Sequence, residues 1–227
     1  TKAAEAIAAN PRLSIHLRTT ELAMDMMDIF RQYPTEDEDT KVVQMLSLRL
    51  FNAFASSLKL MLSGYSQTSA MLMRDVLETV FLLDLFRTDR KAITRWRTSD
   101  KQARMKEFRP IKVREALDRR DGFTDQKPAK MYDLFSELAA HPSMMSVSML
   151  RPKGMDARNG PFIDPSALEA VVSELGRLAI QVGEIVFHFI PTDWQHGLLV
   201  KAAFARQKQV WVSEFYPSAQ RADLQAS

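Results

Sequence analysis

An all-α chain folded as a single compact multi-helix bundle is what three features of the sequence predict. Apolar residues recur every three or four positions over most of the 227 residues, glycine occurs only seven times, and 46% hydrophobic with 26% charged residues is the balance of an ordinary globular protein. A chain of this length suits one large domain or two small ones, and no internal repeat or interdomain linker divides it. It therefore reads as one helical domain over 1–227, with 1–13 and 217–227 as frayed ends.

The first clear helix spans 14–33, where Ile15, Leu22, Met26, Ile29, Phe30 and Tyr33 fall at helical spacing and Pro34 ends the run. The acidic run Glu36-Asp37-Glu38-Asp39 then opens a second helix, its charge complementing the helix dipole. That helix carries Val43, Leu46, Leu50, Phe54, Leu58 and Met61 to a stop at Gly64. A third, over 65–87, is apolar nearly all round and belongs in the centre. Basic helices follow over 89–108 and 111–119, broken at Pro110 and closed at Asp121-Gly122. Residues 125–140 repeat Met131, Leu134, Phe135 and Leu138 as a core stripe.

The stretch 141–164 changes character. It is rich in proline and glycine and holds short runs at 146–150 and 161–163, so a small β-hairpin inserted near 144–163 is expected, with a mobile functional segment as the alternative. Asp164-Pro165 then opens a helix with one clean apolar face from Leu168 to Phe189, closed by Pro191. A last helix covers 193–215.

With 31 Lys and Arg against 28 Asp and Glu, the net charge of +3 does not by itself imply a nucleic-acid partner. Its distribution is uneven, however. Positions 87–120 hold thirteen basic and five acidic residues, an excess of eight that leaves the remaining chain at −5. Arg90, Lys91, Arg95, Arg97, Lys101 and Arg104 are the candidate nucleic-acid-binding residues, with Trp96 and Phe108 interleaved as stacking platforms. The competing reading is a solvated helix pair laced with Glu107, Glu115 and Asp118.

There is no cysteine, so disulfides, thiolate nucleophiles and thiolate metal sites are excluded. No phosphate-binding loop, dinucleotide fingerprint, HExxH or nucleophile elbow occurs. No apolar run reaches bilayer length and the amino terminus lacks a signal-peptide core, so a cytoplasmic protein without a membrane partner is expected. The candidate catalytic group is Arg74, Glu78, Ser136 and His141. Arg74 and Glu78 are four apart on the central apolar helix, and their charges need partners there. Pro142 disfavours helical geometry at His141, so its imidazole either caps a helix C-terminus or turns inward toward that pair. Glu184 and His188 are an i,i+4 pair, but two ligands do not make a metal site, and His16 and His196 read as surface residues. Neither a metal nor a cofactor is expected. The thirteen methionines read as adaptable core filling.

Arg74-x-x-x-Glu78 in an apolar helix, then Trp96, then Tyr132-x-x-x-Ser136-x-x-x-x-His141-Pro142-Ser143 resembles a bacterial all-helical family of unassigned activity, distantly HEPN-like, over about residues 44–190. The resemblance implies a compact bundle, often a homodimer, that binds or cleaves RNA in toxin–antitoxin and phage-defence systems. The nuclease motif of that superfamily, Arg followed by four to six residues and His, is absent. His141 has no arginine nearer than Arg120, and only three residues separate Arg12 from His16. No nuclease residue carries over, and whether the chain is an enzyme stays open. The leading expectation is a dimeric helical bundle that binds RNA or another polyanion. The alternatives are a small-ligand or weakly catalytic Arg/Glu/Ser/His pocket, and a structural dimerisation module.

Overall fold

Three prolines stand at the first turn of their helices, where a missing N–H costs nothing, and five polar residues accept backbone N–H bonds at helix starts. Those caps are Thr1, Asn10, Asp37, Asp100 and Asp164. They open five of the helices in a computed structural model that describes residues 1–122, 133, 137, 146–147, 149–151 and 155–217. The helices of the described residues are α1 (Lys2–Ala8), α2 (Pro11–Arg31), α3 (Glu38–Leu62), α4 (Ser66–Thr88), α5 (Lys91–Thr98), α6 (Lys101–Phe108), α7 (Pro110–Asp121), α8 (Pro165–Phe187) and α9 (Gln195–Phe215).

The amino-terminal segment is not frayed as its sequence suggested. Thr1 caps α1, and Ala3 and Ile7, one helical turn apart, are fully buried in the common core. A two-residue apolar stripe is too short a period to recognise in sequence. The long basic helix expected over 89–108 is two helices, because Ser99 is extended and the Asp100 carboxylate takes the Ala103 N–H at 2.8 Å to start α6. No strand is present among the described residues, so the hairpin expected near 144–163 is not shown. Residues 156–159 and 161–164 are irregular. The helix expected over 125–140 lies outside the described residues except Asp133 and Glu137.

Helices α3 and α4 form a hairpin across the turn at Ser63-Gly64-Tyr65, with α2 against α3. Helix α8 crosses both α2 and α4, α9 covers another flank of α2, and α7 lies on α4. Fully buried Phe30, Phe54, Phe86 and Phe204 anchor one core, each contributing about 1.5–3 kcal/mol by burial. Polar side chains inside it are satisfied locally. Gln44 on α3 donates to the carbonyls of Phe30 (2.9 Å) and Tyr33 (2.8 Å) at the end of α2. Ser57 and Ser69 clasp α3 to α4, each hydroxyl reaching the other residue's carbonyl at 3.0 and 2.8 Å.

Gly64 has φ 84° and its carbonyl accepts the Phe162 N–H at 3.1 Å, tying the segment before α8 to the α3–α4 turn. No described helix is long and apolar enough to cross a membrane.

Candidate functional site

Helices α5–α7 are short and polar, and each is held to the core by one or two apolar residues. Ala92, Ile93, Phe108, Val113 and Leu117 are their buried positions. Phe86 of α4 meets the rings of Trp96 and Phe108 edge-on at 6.1 and 6.3 Å. Phe108 is only 7% exposed, so the platform role assigned to it from sequence is corrected: the ring is spent on packing. Trp96 is half-buried, with the Arg104 guanidinium 5.2 Å from its ring.

Four of the six candidate basic residues have internal contacts. Arg95 binds Asp89 and Glu107, both at 2.9 Å, and its hydrogen bond to Asp89 holds that carboxyl below its usual range. Arg97 binds Asp39 on α3 at 2.9 Å, and Thr94 donates to the same carboxylate. Arg104 donates to the carbonyls of Trp96 and Ser99 at 3.0 and 2.7 Å, satisfying orphan acceptors at the end of α5. Arg90 lies over the Phe189 ring at 4.4 Å, where burial lowers its pKa. Beyond these six, Arg87 and Arg120 share Asp84 at 2.7 and 2.9 Å. Lys91 and Lys101 remain exposed, as do Lys106 and Arg109. The side chains of these four make no hydrogen bond or ion pair among the described residues.

Arg74 and Glu78 do meet, at 3.3 Å, but each side chain is about 30% exposed, not enclosed in apolar packing as the sequence suggested. The face of α4 that carries them also carries Asp75, which Arg49 of α3 engages. Ser136 and His141, like Tyr132, lie outside the described residues.

The structure adds a cleft of about 300 Å³ where α3 and α4 face α5–α7. Arg49, Asp75 and Glu78 line one part, and Trp96, Phe108 and Val113 another. Arg49 escaped the sequence reading because 26 positions separate it from Asp75, and no local spacing announces the pair.

The histidines divide differently from expectation. His196 is exposed, but His16 is 3% exposed, stacked on Phe215 at 4.2 Å, and accepts the Trp211 indole N–H at 2.9 Å. The sequence missed this because its partners lie on α9, far along the chain. Burial, then the charges of Arg177 and Arg12, lower its pKa to about 4. Glu184 is taken by Lys208 at 2.7 Å rather than paired with His188. Groups of three or more metal-ligating side chains are absent among the described residues. Lys201, also buried, donates to the Ile190 carbonyl at 3.3 Å and sits 4.1 Å from the Phe187 ring centroid, with its pKa lowered by desolvation.

No family model matches the chain, and no curated protein or solved structure matches it either.

Proposed function

We propose that this chain is a helical-bundle protein that binds RNA or a related polyanion through the outer surface of α5–α7. One observation carries the reading: the internal ion pairs do not exhaust the positive charge. Of the excess of eight in 87–120, Asp39, Asp84 and Asp121 from outside the stretch offset three. Lys91, Lys101, Lys106 and Arg109 remain in solvent, where phosphates can reach them. Arg95, Arg97 and Arg104 then act as scaffold, holding the three short helices in register. A dimeric state and a HEPN-like bacterial defence role belong to the same proposal, and solution mass tests the dimer.

Fluorescence anisotropy with a labelled single-stranded RNA at low and near-physiological salt is the test. Four phosphate contacts predict a log–log salt slope of about −3, and replacing the four side chains with glutamine should weaken binding and flatten that slope. Absence of binding at low salt, or equal binding by the variant, sinks the reading.

A second reading, a small-ligand site, is favoured by the cleft between Arg49, Glu78 and Trp96. Its test is calorimetric binding of a metabolite panel to the wild type and to Leu82→Trp, which fills the cleft. Heat that persists in the filled variant rejects that site.

A further inference from the structure

We propose that the cleft between α3, α4 and α5–α7 receives a single unpaired guanine base. This deepens the RNA-binding reading of α5–α7 and rests on it. The cleft and the basic surface are built on the same elements. Trp96, Phe108 and Pro110 line the cleft, and the exposed Arg109 lies between the last two in sequence. A phosphate held by Arg109, whose chain neighbours line the cleft, brings a nucleoside of the same strand near the opening. At about 300 Å³ the cleft is at the small end of ligand pockets, with room for a purine.

The polar lining selects among bases. Asp75 and Glu78 are one turn apart on α4 and share a face, and Arg49 stands against Asp75. Guanine presents O6 as an acceptor beside N1–H and the N2 amine as donors. Arg49 donates to O6, while Asp75 and Glu78 accept from N1–H and N2–H. A carboxylate offers about four acceptor positions, so the ion pairs Arg49–Asp75 and Arg74–Glu78 do not use them up. Adenine lacks the N2 amine and places a lone pair at N1, which faces a carboxylate unfavourably. Trp96 supplies the ring against which the base stacks, and Phe86 and Arg104 fix that ring in place.

The experiment is calorimetric titration of the whole chain with GMP, AMP, CMP and UMP, beside anisotropy with a labelled uridine-rich RNA carrying one or no guanine. GMP is expected to bind about tenfold tighter than AMP, and the guanine-bearing RNA tighter than its control. Glu78→Gln should erase the preference. Leu82→Trp should abolish GMP binding while leaving the salt-dependent binding of uridine-rich RNA, which also shows that the variant folds. If all four nucleotides bind alike, or none binds, the guanine site is overturned. Salt-steep binding of uridine-rich RNA alongside that result leaves the α5–α7 surface standing. GMP binding without RNA binding supports the pocket and overturns the surface.

Discussion

Trp211 donates its indole N–H to Nδ1 of His16 at 2.9 Å, which leaves the neutral imidazole its proton on Nε2. The contact joins α9 to α2 inside the core, and a charged imidazole cannot accept that bond. With the native pKa near 4 against 6.5 for the free group, the native state binds fewer protons than the unfolded chain between those values. Stability from this group is complete above pH 6.5 and declines as pH falls through 4, by about 3 kcal/mol in total. His16→Asn keeps an acceptor without a titrating ring. Urea unfolding from pH 7 to 4 should show wild type losing stability relative to the variant, and parallel curves would remove His16 as the cause.

Helical glycine usually costs about 1 kcal/mol against alanine, so Gly→Ala in α8 would ordinarily stabilise. At Gly183 the sign reverses. An added Cβ would lie 2.1 Å from Cζ of Phe204, a fully buried ring of α9. Gly176 is similar, with His16 Nδ1 at 2.2 Å. Gly183→Ala should destabilise by about 1–3 kcal/mol by overpacking, read as a lower urea midpoint. An unchanged or raised midpoint contradicts the close approach of α8 and α9.

The Ser57 and Ser69 hydroxyls lie 2.8 Å apart and are fully buried, so removing either leaves partners unsatisfied. Each single alanine variant should cost about 1–3 kcal/mol. The double variant should cost less than the sum, because the orphaned groups disappear together. Strict additivity in a double-mutant cycle would show that the two do not act as one clasp.

Ion pairs of α5–α7 should differ by burial. Asp84, 14% exposed, holds Arg87 and Arg120, and Asp84→Asn should cost about 2 kcal/mol. The partners in Arg95–Glu107 are each 45% exposed, so Glu107→Gln should cost less than about 1 kcal/mol, a difference visible in thermal midpoints. Equal losses would mean that burial does not set the hierarchy.

Helix class was legible wherever a long apolar period ran unbroken, as from Leu168 to Val186, because burial on one face leaves a 3.6-residue record. Short helices leave no such record, which is why α1 and the α5–α6 break were misread. Site chemistry was legible only where partners share a helix, as Arg74 and Glu78 do. Arg49–Asp75, Asp39–Arg97 and His16–Trp211 each join different helices, and single-chain spacing carries no trace of them. The basic stretch was visible as composition, but which charges stay in solvent depended on carboxylates supplied by α3 and α4.

The bond between His16 and Trp211 also spans 195 positions, and α2 buries its faces against α8 and α9 as well as α3. During synthesis at roughly 5–20 residues per second, α2 waits about 10–40 s before its last partner is made. The nascent chain thus carries an unfinished apolar surface until α9 emerges. A chain stalled before α9 should leave α2 open to protease, whereas equal protection before and after α9 emerges would show that α2 is covered without it.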